Sequence, residues 1–262
     1  MSVASPTDLL QHGDIEVRGR IMPASNHTFL ARLGSGEESV AAVYKPVSGE
    51  RPLWDFTDGS LAAREYAAWL VSESTGWRIV PPTTLRDGPA GRGMVQLWRE
   101  PDERQAPIDL VPEGEVPPGY RAVLDAFDRH DRPVTLVHED TTQLRRMAVF
   151  DAVVNNTDRK GGHVLAMTDG HRHGVDHGVC FHTEDKLRTV LWGWAGEPLE
   201  EEELAGVERV LDDLGRDLGT ALADLLVPRE IHSLRLRCQR LLAVRSFPLP
   251  ADGWPAIPWP AF

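Results

Sequence analysis

Residues 141–163 restrict the folds open to this chain more than any other stretch. Leu144, Met147, Ala148 and Val154 recur at helical spacing, so TTQLRRMAVFDAVV predicts a helix with one buried face. That helix runs directly into Asn155-Asn156-Thr157-Asp158-Arg159-Lys160-Gly161-Gly162-His163. Asn, Asp and paired Gly at a helix end suit a tight loop. An Asp fixed in such a loop orients and deprotonates a hydroxyl, and a basic neighbour balances phosphate charge, which makes Asp158 and Arg159 candidate catalytic residues. Further along, Asp176 sits in Gly174-Val175-Asp176-His177-Gly178 between short apolar strands. A carboxylate just after a strand and before Gly is well placed for Mg²⁺, which favours hard oxygen ligands.

The first part of the chain reads as strands. GDIEVRGRI, TFLARL and SVAAVYKPV alternate loosely over residues 13–47 and predict a small antiparallel meander. LAAREYAAWLVSEST at 61–75 predicts a helix, with Ser60 as its N-cap and Gly76 as its stop. GRGMVQLWRE predicts a further strand. Residues 100–120 are acidic and proline-rich and read as a connection, which puts a boundary between two lobes near residue 100: 1–100 and 101–262. Beyond it, YRAVLDAFDRH reads as helical, VTLVH as a strand, and about 199–226 and 229–246 as helices before a Pro- and Trp-containing tail. In the first lobe, Lys45 ends a strand, where an ammonium can meet a phosphate as a point charge. Glu65 lies beside the stripe Leu61, Ala68 and Trp69, where a desolvated carboxylate needs a cation, and Lys45 is the expected partner.

Composition removes several function classes. Lys and Arg total 28 against 40 Asp and Glu, a net charge of -12, which argues against a general nucleic-acid or anionic-membrane binder. The two cysteines, Cys180 and Cys238, are too far apart for a CxxC zinc site and too few for a disulfide framework. No basic segment leads into an apolar run at the N-terminus, and no window is long and apolar enough for a membrane helix. The expectation is a cytoplasmic protein; oligomeric state is open.

Strand Lys, helix Glu, a strand Val95-Gln96-Leu97-Trp98 that reads as a hinge, loop Asp and then strand Asp-x-Gly follow one another in the order needed to hold ATP and transfer its γ-phosphate. With these residues in view, the chain resembles the phosphatidylinositol 3- and 4-kinase superfamily, in the compact bacterial branch near type II phosphatidylinositol 4-kinases and HipA-like serine kinases. FDAVVNNTDRKGGHVL carries most of the resemblance, and AVYKP, LAAREYAAWLVSESTGWRIVPPT and VDHGVCF support it, over residues 13–195. The resemblance implies an α+β, two-lobed atypical protein- or lipid-kinase fold with a small antiparallel-sheet N-lobe and a mainly helical C-lobe. It implies that Lys45 contacts the α/β-phosphates and pairs with Glu65, and that Gln96, Leu97 and Trp98 face adenine. Ser25, Asn26 and His27 fall where the phosphate-covering loop belongs, without its usual glycines. Asp158 is then the catalytic-loop Asp and Asp176 the metal-binding Asp of an Asp-His-Gly element. The cofactor implied is ATP with Mg²⁺. The family pattern puts a metal-binding Asn where this chain has His163; imidazole can bind Mn²⁺ or Zn²⁺ but is a poor Mg²⁺ ligand.

The acceptor is a hydroxyl of a protein or small molecule; with this charge a phosphoinositide is less expected. Two other classes stay open. A nucleotide-binding pseudokinase or scaffold keeps the fold without the reaction. A zinc hydrolase draws its ligands from His171, His173, His177 and His182 around Asp176.

Overall fold

The structure is a computed structural model describing residues 5–22, 26–251 and 253–262. Ser5 and Asp8 form a capping box and, with Pro6, start a short helix, α1 (Pro6–His12), before the first expected strand. The expected meander is part of a larger sheet. Strands β1 (Ile15–Arg20), β2 (Phe29–Leu33) and β3 (Val40–Pro46) are joined by β4 (Thr83–Gly88) and β5 (Gly91–Leu97) in the antiparallel order β1-β2-β3-β5-β4. In β3, Ala42, Tyr44 and Pro46 are buried in alternation, so Lys45 emerges on the opposite face. Between β3 and β4 runs α2 (Leu61–Thr75), with Ser60 Oγ accepting from the Ala63 amide and Gly76 stopping it at φ 75°.

After β5 comes a second sheet of β6 (Ile108–Pro112), β7 (Tyr120–Phe127) and β8 (Pro133–Glu139), in the order β6-β8-β7. The helix expected over YRAVLDAFDRH is therefore strand β7. A bulge between Ala122 and Leu124 breaks the two-residue alternation there, leaving adjacent apolar residues that imitate a helical period. Residues 100–120, expected as a plain connection, contribute β6. Then α3 (Thr142–Val154) is capped by Thr141 and closed by Asn155 at φ 53°, and it leads to the hairpin β9 (Val164–Ala166) and β10 (Arg172–Gly174). The expected helix at 199–226 is divided at Leu214-Gly215-Arg216 into α4 (Glu201–Asp213) and α5 (Asp217–Ala223); α6 (Pro228–Val244) follows. The tail returns to the loop after α3, where the Gly161 amide donates to the Ala261 carbonyl at 2.8 Å.

Two cores result. The smaller gathers Leu10 of α1 with Ala31, Leu33, Ala42, Tyr44, Val95 and Leu97 of the five-stranded sheet. The larger is built on α3 to α6 and takes Ala67, Ala68 and Val71 from α2, so α2 packs with the helical part of the chain. At its C-terminal end α4 comes so close that a Cβ on Gly206 would overlap the Trp77 ring. Cys180 and Cys238 are separate, buried thiols.

His138, wholly buried on β8, is held neutral. Its Nδ1 lies 2.9 Å from the Glu139 carbonyl and its Nε2 accepts from the Gly193 amide at 3.1 Å, while the ring packs on Trp194. Burial pushes its pKa down from 6.5 to about 4. The unfolded chain takes up a proton below pH 6.5 that the folded chain refuses, so this stability is complete above 6.5 and is lost as the pH falls toward 4. Burial lowers His173 in the same way. Melting temperature is expected to drop between pH 6.5 and 4 by ~1.4 kcal/mol of stability per pH unit from His138 alone. His138→Gln is expected to make the profile shallower, leaving the contribution of His173, and an unchanged profile would refute this origin.

Candidate active site

Where the sheet meets the helical part, a cleft of about 430 Å³ is lined by residues from both, among them Asn26, His27, Lys45, Glu65, Asp158 and Asp176. Lys45 Nζ bridges two carboxylates, Glu65 Oε1 at 2.5 Å and Asp176 Oδ1 at 2.8 Å. Burial works against the ammonium, but Asp176 and Glu65 outweigh it and raise the Lys45 pKa above its ordinary value. Burial pushes the Glu65 carboxyl up, opposed by Lys45 and by the His177 amide, which donates to Oε2 at 3.0 Å. The nearby Lys45 ammonium holds Asp176 well below the usual carboxylate range. Asp176 also takes φ 62°, a left-handed conformation uncommon outside Gly but one that Asn and Asp adopt more readily than most residues.

Asp158 presents its carboxylate to the same cleft, 3.2 Å from Lys160 Nζ, and its amide donates to Asn156 Oδ1. His163 Nδ1 faces the Asp158 carbonyl at 2.9 Å and therefore carries the proton. Burial lowers its pKa, leaving Nε2 with a lone pair 3.4 Å from Asp176 Oδ2. Two electron-pair donors at that separation fit one cation: bonds of ~2.1 Å at right angles place two ligand atoms about 3.0 Å apart. The residues present thus suit a divalent ion held by Asp176 and His163.

Other expected positions differ. Arg159 is wholly buried: Nε and Nη2 grip the Asp151 carboxylate at 2.9 and 2.8 Å, and Nη1 reaches the His163 and Val175 carbonyls. A guanidinium so committed cannot approach a transferred phosphoryl group; Lys160 is the cation beside Asp158. Gln96, Leu97 and Trp98 do not line the cleft. The Gln96 side chain donates to Thr83, and the Leu97 and Trp98 amides donate to the Pro82 and Ala41 carbonyls. Asn26 and His27 do reach the cleft, His27 lying against Gly49 where a Cβ would collide with its ring; Ser25 lies outside the described residues. The four histidines of the zinc reading are divided. His171 and His173 bond the Arg78 and Ile79 carbonyls, His177 bonds Arg159 and His182 meets Lys186. Among the described residues no three His, Cys, Asp or Glu side chains converge as a metal site.

Sequence reading passed over Glu50, whose carboxylate lines the cleft and accepts from the Leu61 and Ala62 amides at the start of α2. Nothing in its neighbourhood marks it. Asp151 was discoverable: a carboxylate amid Phe150, Ala152 and Val153 on a buried helix demands a cation.

This architecture is that of the kinase fold. The Golgi casein kinase superposes with a TM-score of 0.50 at 13% identity, covering 90% of this chain and 73% of that one. The Helicobacter pylori proinflammatory kinase CtkA gives a TM-score of 0.48 at 12% identity, over 89% of this chain and 95% of that one. The chain belongs to the same family as protein Rv2133c of Mycobacterium tuberculosis (strain ATCC 25618 / H37Rv), with 52% identity over 97% of this chain and 94% of that protein. It matches no established family profile. Among the described residues no helix is long and apolar enough to cross a membrane.

Proposed function

We propose that this chain is an ATP-dependent phosphotransferase that moves the γ-phosphoryl group to a hydroxyl. One observation carries the reading: Lys45, Glu65 and Asp176, far apart in sequence, meet as a single ionic cluster at the wall of a cleft that also holds Asp158. Lys45 presents its ammonium to the phosphates, and Glu65 keeps it from drifting. Asp158 orients the acceptor hydroxyl and takes its proton at a carboxylate oxygen, with Lys160 moderating the charge. Asp176 and His163 hold the divalent ion, which when bound supplies charge neutralisation for the phosphates. The kinase-like fold and the resemblance to phosphatidylinositol 3- and 4-kinases support this assignment. The net charge of -12 favours a protein hydroxyl or a small alcohol over a lipid at an anionic membrane.

Calorimetric titration of ATP in Mg²⁺, in Mn²⁺ and in EDTA tests the proposal. Metal-dependent binding, stronger with Mn²⁺ because of the imidazole ligand, is expected. No binding in any of the three conditions would move the function to a scaffold that keeps the fold alone.

A further inference from the structure

Arg64, next to Glu65 on α2, points away from the cleft into the helical part of the molecule. It is 2% exposed and meets the buried Glu230 of α6 at 2.6 Å. Its Nη1 donates to the Cys180 carbonyl at 3.0 Å, its Nη2 donates to the Asp58 carbonyl at 2.9 Å, and its plane lies over Phe56. Glu230 divides its oxygens: Oε1 takes Arg64, and Oε2 accepts from the Val227 amide that opens α6. The far end of α2 is tied to α4 as well. Ser74 donates to Asp213 at 2.7 Å, Arg209 donates to the Thr75 carbonyl, and Gly206 gives Trp77 its seat.

Arg64 and Glu65 therefore both grip the segment that follows β10, one at Cys180 and one at His177. A buried ion pair is weak evidence for stability, since apolar residues of similar size often serve as well. Its value here lies in register. We infer that Arg64 and Glu230 are positioning residues: α6 holds α2 where Glu65 spans Lys45 and the His177 amide, so the phosphate-binding cluster is assembled before nucleotide arrives. The consequence for nucleotide rests on the phosphotransferase reading; the mechanical link does not. On this inference the C-terminal helices are a fixed brace, and α2 does not swing to switch the site.

Hydrogen exchange at the His177 amide, together with ATP and adenosine affinity, tests the link in the full chain. Glu230→Gln keeps an acceptor for the Val227 amide and removes the charge. The double variant Arg64→Met/Glu230→Met replaces the pair with apolar stems and keeps the test open if the single variant fails to fold. Exchange at His177 is expected to rise at least ~10-fold in both, with no change at the Val149 amide of α3, and ATP affinity to fall roughly tenfold while adenosine affinity holds within about twofold. Wild-type protection of His177 in a folded double variant would overturn the inference. Failure of the wild-type chain to bind ATP would overturn the phosphotransferase reading instead, and exchange at His177 would still decide what Arg64 and Glu230 do.

Discussion

Asp176→Asn is expected to weaken ATP binding in Mg²⁺ or Mn²⁺ at least about a hundredfold, ~2.7 kcal/mol, and to leave binding in EDTA nearly unchanged. Asparagine is the informative replacement because it tolerates the left-handed backbone at φ 62° that alanine resists. It removes only the charge, so Lys45 loses one of its two carboxylates and a divalent ion held with His163 would lose its anionic ligand. The side chain is half exposed, and the variant is expected to melt close to wild type. Calorimetry in the presence and absence of metal gives the answer. An undiminished metal dependence would remove Asp176 from the metal site.

The second large effect is on folding. Asp151 and Arg159 are both fully buried, and Asp151 also accepts from Asn156 Nδ2 at 3.0 Å. Asp151→Asn leaves a guanidinium uncompensated in the core, and the expected loss is about 3–5 kcal/mol. For a chain of this size that lowers the melting temperature by roughly 10 °C. Asp151→Leu combined with Arg159→Met is expected to recover much of it, because neither charge then remains buried. A single variant melting within a degree or two of wild type would show that water reaches Arg159. The pair matters for the site because Arg159 also ties the carbonyls of His163 and of Val175, the neighbour of Asp176.

Much of the site could be read from residue order. Lys45, Glu65, Asp158 and Asp176 follow from local chemistry and His163 from the family resemblance, and all five lie at or beside one cleft. Arg159 was misjudged because a basic residue next to a loop Asp looks available to a phosphate. Its partner Asp151 lies earlier on α3 while Arg159 is in the loop beyond the helix, and only the packing shows that both are sealed. Which backbone amides at Gln96, Leu97 and Trp98 are engaged depends on partners, here Pro82 and Ala41, that a linear pattern does not name.

Strand β7 shows the limit for the fold. One bulge near Val123 shifts the side-chain alternation, and a strand then carries a helix-like pattern; pairing with β8 settles the matter. Helices α2 and α3 were plain in the sequence because their signals are local, an apolar face bounded by Ser60 and Gly76 or by Thr141 and Asn155. The brace of α6 on α2 left no such trace. Arg64 and Glu230 are separated by most of the chain, and an ion pair at that distance carries no spacing, period or capping rule. Local chemistry thus names the residues able to hold a phosphate and a metal, whereas burial and long-range pairing assign which charges face the cleft and which are spent holding it open.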